Sequence, residues 1–140
     1  MELHVQKLHP SAQLPTRAHG TDAGFDLYCS EAVTLAPGER AQVQTGIAMA
    51  VPVGYVGLIW DKSGVSHKRG LKTLGGVIDA GYTGQVCVGI YNTDTESQLF
   101  AVGDKVAQIL IQKIESPEIV EVSSLAQSER GVNGFGSTGT

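Results

Sequence analysis

Aromatic residues make up only 6% of the chain and cysteines number two. With so few rings and 18 glycines, long packed helices are disfavoured and many short strands and turns are favoured. Cys29 and Cys87 lie in strand-like runs with no CxxC pair or Cys/His cluster nearby, which argues against a zinc site. Both read as small core residues in a reducing compartment, with a single disulfide left open. The histidines, His4, His9, His19 and His67, are scattered without paired spacing and read as ordinary solvated or hydrogen-bonded side chains. No apolar run approaches membrane-spanning length, and residues 1–5 lack the basic and apolar regions of a secretory signal. The expectation is a cytoplasmic protein with no membrane partner. An excess of positive charge is also missing. The net charge of −4, with both signs interspersed, argues against nucleic acid as a partner, but leaves room for a small phosphate ligand held by a few local cations.

At 140 residues the chain is long enough for one domain with one core. Strand-like runs occupy residues 3–8, 23–28, 41–51, 55–60, 77–78, 86–91, 105–111 and 114–122. Pro37-Gly38, Pro52-Val53-Gly54 and Gly103-Asp104 mark turns between them. The pattern predicts an all-β sandwich or barrel of roughly ten short strands. A short helix is expected from Ser63, as its cap, to Arg69. Free N–H groups at its start, with Lys62 beside them, form a candidate anion site; a plain capped turn is the competing reading. One further helical turn is expected over residues 124–129.

The chemistry is placed in residues 74–91. Val77-Ile78 is a short apolar run ending at Asp79, and residues 86–91 form a second run rich in β-branched and aromatic side chains. Gly81 and Gly84 between them make the stretch read as a β-hairpin. Gly75, Gly76 and Gly89 suggest close approach by a ligand or another backbone. An apolar strand ending in a carboxylate beside Tyr82 suits a small polar ligand, although Asp79 as a simple turn cap fits equally well. Asp26 alternates with Phe25 and Leu27, which points it away from their face and toward solvent. Gln108 is the odd polar residue of an apolar strand and needs partners. Residues 130–140 carry Gly131, Gly134, Gly136 and Gly139 and read as a flexible arm appended to a domain of residues 1–129. Arg130 suits bidentate phosphate contact, and the Phe135 ring suits stacking on a base.

Five stretches taken in order resemble the trimeric dUTP pyrophosphatase (dUTPase) family. They are Ala23-Gly24-Phe25-Asp26-Leu27, Lys62-Ser63-Gly64, Gly76-Val77-Ile78-Asp79-Ala80-Gly81-Tyr82, Gly103-Asp104-Lys105-Val106-Ala107-Gln108, and residues 130–139. The resemblance implies a jelly-roll-like β-barrel with one short helix. It implies a homotrimer whose active sites are shared between chains, and Mg²⁺-assisted cleavage of dUTP to dUMP and pyrophosphate. That reaction limits uracil incorporation into DNA and supplies dUMP for thymidylate synthesis. By the same resemblance Asp79 is the general base that activates the water attacking the α-phosphorus. Thr73, Gly76, Val77, Ile78 and Cys87 surround the uracil, with Ile78 and Cys87 using backbone groups, and Tyr82 packs under the deoxyribose. Lys62, Ser63, Gly64, Gln108, Arg130, Gly136 and Ser137 attend the phosphates. Asp26 supports the metal through water, and the arm closes with Phe135 over the base. Three positions depart from the family pattern: Lys62 replaces the usual arginine and so lacks its planar fork, Gly81 replaces a frequent acidic residue, and Thr73 replaces an asparagine found in some members. Two rival readings are a dCTP deaminase, alone or bifunctional, and a dUTP-binding protein without turnover. The first meets Thr83 where the deaminase needs a glutamate base; the second leaves the carboxylate of Asp79 without a purpose.

Overall fold

Residues 85–92 show how the pattern builds the fold. Val86, Val88, Ile90 and Asn92 are buried, and the residues between them are half-buried, the alternation of a strand with one face on a core. The computed structural model describes residues 1–129, 131 and 132. Expectations that concern Arg130, Phe135, Gly136 and Ser137 lie outside the described residues. In chain order the elements are β1 (His4–Lys7), β2 (Phe25–Tyr28), β3 (Val33–Leu35), β4 (Arg40–Ala50) and β5 (Tyr55–Trp60). There follow α1 (Ser63–Arg69), β6 (Leu71–Leu74), β7 (Val77–Ile78), β8 (Gln85–Asn92), β9 (Gln98–Phe100) and β10 (Lys105–Lys113).

The strands pair antiparallel in two four-stranded sheets, β1-β4-β8-β6 and β2-β10-β5-β7, with β3-β9 as a separate ribbon. The architecture is jelly-roll-like as expected, but the sheets do not close into a barrel, since no ladder among the described residues joins the edges of one to the edges of the other. Leu27, Leu35, Val43, Val86, Val88, Ile90, Phe100, Val106 and Ile109 are all fully buried at 0%. Each contributes about 1.5–3 kcal/mol by leaving water. The short helix is tied to this body by Arg69. Its guanidinium lies 4.5 Å from the Phe100 ring centre and donates to Gln98 Oε1 and to the Leu99 carbonyl.

Several sequence expectations are corrected. The stretch 74–91 is not a simple hairpin: β7 pairs with β5, through Gly57↔Ile78 and Leu58↔Val77, while β8 pairs with β4 and β6. The chain leaves one sheet after Leu74, adds two residues to the edge of the other, and returns. Residues 114–122 are not a strand. Pro117 lacks a ladder donor, and Ile119 and Val120 stand 95% and 68% exposed with no neighbouring strand. Residues 124–129 form no helical turn. The strands β3, β6 and β9 were not legible, being three or four residues long and partly polar. Both cysteines are free thiols. Among the described residues no helix is long and apolar enough to cross a membrane.

Candidate functional site

Cross-strand register places Asp26 opposite Gln108, and Gln108 opposite Trp60, so the three share one face of the second sheet. Just beyond Trp60, α1 begins. The cleft there, about 520 Å³, is lined by Gly24, Asp26, Trp60, Lys62, Lys105 and Gln108, among others. Gly24 lies close against Gln108: a Cβ at that position would force the Gln108 amide to shift. Gln108 finds its partner in the backbone, donating from Nε2 to the Asp61 carbonyl at 2.8 Å.

Asp26 is not solvent-facing. It is 6% exposed, and each carboxylate oxygen takes one ammonium: Lys62 Nζ lies 2.5 Å from Oδ1 and Lys105 Nζ lies 2.7 Å from Oδ2. Burial pushes its carboxyl up, but the hydrogen bonds and charges of Lys105 and Lys62 together outweigh burial and hold it below the usual carboxylate range. Asp26 answers in kind, raising the Lys105 ammonium above the ordinary lysine value through its hydrogen bond and its charge. Lys62 adopts extended backbone as the residue before α1 and makes no side-chain cap bond, so Ser63 is the first helical residue and not the cap. Ser63 and Gly64 are exposed in the first turn, where helix N–H groups have no intrahelical acceptor.

Asp61 was not singled out by the sequence. Its Oδ1 accepts from the Thr73 N–H at 2.8 Å and from the Thr73 hydroxyl at 2.7 Å, and its Oδ2 pairs with Lys72. Burial raises its carboxyl, and the Lys72 and Thr73 bonds outweigh that to leave it below the usual range. Asp61 thus links β6 of one sheet to the end of β5 in the other, immediately before Lys62. The Thr73 hydroxyl donates within this link. Only a tertiary contact marks Asp61; locally it is one acidic residue after an apolar strand.

A second group of expected residues lies around β7 and β8. Thr73, Gly76 and Val77 line a groove of about 250 Å³ with Leu58 and Trp60. Gly76 and Cys87 line a neighbouring recess of about 460 Å³ with Gly75 and Gly89. Gly76, at φ 108, would put a Cβ 2.9 Å from the Ile59 carbonyl, so the close approach inferred there is to backbone. Cys87 Sγ contacts Gln44 Oε1 at 3.3 Å, and burial raises its pKa and favours the neutral thiol. Tyr82 closes a turn by donating its N–H to the Asp79 carbonyl, and its hydroxyl donates to the Gln85 carbonyl at 2.7 Å.

Asp79 follows β7 and is exposed. The carboxylates of Asp22, Asp26, Asp61, Asp94 and Asp104 each accept hydrogen bonds; among the described residues none donates to the carboxylate of Asp79. It does not line the Asp26–Gln108 cleft. Antiparallel pairing through Gly57↔Ile78 puts it beside position 56, about 13 Å along β5 from Trp60 at ~3.3 Å per residue. Within one chain, Asp79 therefore stands apart from the Asp26–Lys62–Gln108 group, whereas Thr73 reaches that group through Asp61. Among the described residues no group of three or more His, Cys, Asp or Glu is arranged as a metal cage.

The family model for dUTPase matches residues 10–139. A deoxyuridine 5'-triphosphate nucleotidohydrolase of Mycolicibacterium gilvum (strain PYR-GCK) is 47% identical, covering 98% of this chain and 94% of the relative. One from Corynebacterium diphtheriae is 46% identical, covering 96% of this chain and 91% of the relative. Among solved structures, a mutant dUTPase of Staphylococcus bacteriophage 80alpha with dUpNHpp superposes with a TM-score of 0.95 at 35% identity, over 99% of both chains. A mutant dUTPase from phage phi11 of S. aureus, described with a structural Mg(II) ion, gives a TM-score of 0.86 at 33% identity, over 91% of this chain and 100% of that one.

Proposed function

This chain belongs to the dUTPase family, and from that membership we propose that it hydrolyses dUTP to dUMP and pyrophosphate, acting as a dUTP diphosphatase. The observation that carries the mechanistic part is the free carboxylate of Asp79. Every other described aspartate has at least one carboxylate oxygen engaged by a donor, whereas both Asp79 oxygens are open to water as far as the described residues go. Asp79 is the general base: it orients a water and takes its proton as oxygen attacks the α-phosphorus, and pyrophosphate leaves.

The remaining residues position. The backbone of Gly76, Val77, Ile78 and Cys87, with Thr73 at the margin, receives the uracil, and Tyr82 packs against the deoxyribose. Its fixed hydroxyl supports that role by holding the ring in one orientation. Ser63, Gly64, Lys62 and Gln108 attend the triphosphate. On the resemblance of residues 130–139, Arg130, Gly136 and Ser137 add phosphate contacts and Phe135 covers the base. Mg²⁺ fits this chain through water. Both Asp26 oxygens are already paired with lysines, which opposes direct ligation, whereas Mg²⁺ characteristically keeps its waters and takes its other ligands from substrate phosphates. When bound there it supplies charge neutralisation of the triphosphate.

The distance of Asp79 from the Asp26–Gln108 cleft supports a homotrimer in which each site draws on more than one chain. The exposed apolar side chains of Ile119, Val120, Val122 and Leu125 support it too, since they need cover. In the cell the reaction limits dUTP available to polymerases and supplies dUMP. Pyrophosphate release with dUTP, UTP, dCTP and dTTP tests the reading. Strong preference for dUTP is expected. Ammonia from dCTP would favour the deaminase reading, and binding of dUTP without pyrophosphate release would favour the pure binder.

A further inference from the structure

Asp26 is a buried carboxylate held by two ammonium groups, one on each oxygen. One lysine satisfies its charge; the second gives the Asp26–Lys62–Lys105 cluster one net positive charge, in a cleft that Asp22 and Asp61 also line. The two lysines are not equivalent. Lys62 immediately precedes the Ser63–Gly64 turn and has the more covered side chain, at 27% against 46% for Lys105. Lys105 opens β10, opposite Tyr28 in the β2–β10 ladder, with its ammonium 6.0 Å from the Tyr28 ring centre. A lysine makes a single-point contact, unlike the planar fork of an arginine, so either ammonium is able to leave its oxygen while the other stays.

Building on the hydrolytic reading above, we propose that Lys105 is a positioning residue which holds Asp26 while Lys62 passes from Asp26 to the incoming triphosphate. Without Lys105, departure of Lys62 leaves a buried carboxylate unpaired, which is strongly unfavourable, so Asp26 retains Lys62 and withholds it from the phosphates. Lys105 thereby governs the availability of a phosphate contact that it does not itself make. Lys105 occupies the other oxygen, Oδ2, and stays as Lys62 moves because departure of both ammonium groups would leave the buried carboxylate unpaired.

The test is a double-mutant cycle read by binding of dUpNHpp with Mg²⁺, with dUMP as the control ligand. Lys62→Met and Lys105→Met are each expected to weaken dUpNHpp binding about tenfold or more, the loss of one charge-assisted contact. Affinity for dUMP is expected to change by less than about twofold, within the scatter of independent effects. The double variant is expected to bind about as well as either single variant, because Lys62 is already withheld when Lys105 is absent. Lys105→Arg is expected to restore binding, and Lys105→Gln, which keeps the stem, to reproduce the Met result should that variant fold poorly. Multiplicative losses in the double variant would overturn the proposal, as would equal losses for dUMP and dUpNHpp or an unaltered affinity in Lys105→Met. The cycle is read by binding alone, so a failure of the hydrolytic reading appears in pyrophosphate release and a failure of this inference appears in the cycle.

Discussion

Removing the Asp61 carboxylate tests the joint between the two sheets. Asp61→Ala deletes two charge-assisted hydrogen bonds from Thr73, at 2.8 and 2.7 Å, and the pairing with Lys72. Hydrogen bonds to a charged group contribute about 1.5–3 kcal/mol each when buried. The Asp61 side chain is 20% exposed and Thr73 is half-buried, so water recovers part of that, and about 2–4 kcal/mol for the pair is the reasoned figure. Lys72 is 55% exposed, so its ion pair adds at most ~0.5 kcal/mol. Asp61→Asn keeps an acceptor for Thr73 and loses only charge, and about half the effect is expected. The assay is the urea midpoint at fixed protein concentration, since an oligomer's stability depends on concentration. The pH dependence follows from the sign of the shift. The folded Asp61 carboxyl lies below its ordinary 3.8, so its stabilisation is present above that value and is lost as pH falls through the folded value. The gap between the parent and Asp61→Asn is therefore expected to be full at neutral pH and to narrow below about pH 4. An Asp61→Ala unfolding free energy within about 0.5 kcal/mol of the parent, or a gap independent of pH, would refute the reasoning.

Three further outcomes are expected. Asp79→Asn keeps shape but removes the proton acceptor, so kcat should fall roughly a hundred-fold to ten-thousand-fold while dUpNHpp binding survives; near-normal turnover would remove Asp79 from the mechanism. Tyr82→Ala should narrow the preference for dUTP over UTP, because a 2′-hydroxyl forced against the ring loses its water without a partner, at roughly 1–3 kcal/mol; an unchanged ratio of kcat/KM places discrimination elsewhere. Truncation after Glu129 should lower kcat more than it raises KM, with a thermal midpoint close to the parent; full kcat would reduce residues 130–140 to a passive tail.

Local pattern was enough to assign the β class, the short helix and most strand positions, because period-two burial in a run such as Gln85–Asn92 is set by neighbours two residues apart. The ordered motifs around Asp26, Lys62, Asp79 and Gln108 were enough to name the family that the full-length matches then established. Pairing partners were another matter. Periodicity says which face of a strand is buried and nothing about which strand lies beside it, so residues 74–91 look locally like a hairpin although they cross between two sheets. The residues 114–122 show the same limit from the other side: strand-like alternation with no strand to pair with. Charge followed that rule as well. Asp26 alternates as a solvent-facing residue would, yet Lys62 and Lys105, distant in sequence, meet it in the fold and make its burial affordable. The β class, the short helix and the family were determined by the sequence itself; the partners of Asp26, Asp61 and Thr73 were decided only by the tertiary structure, because a buried charge is fixed by whichever opposite charges the folded chain brings within reach.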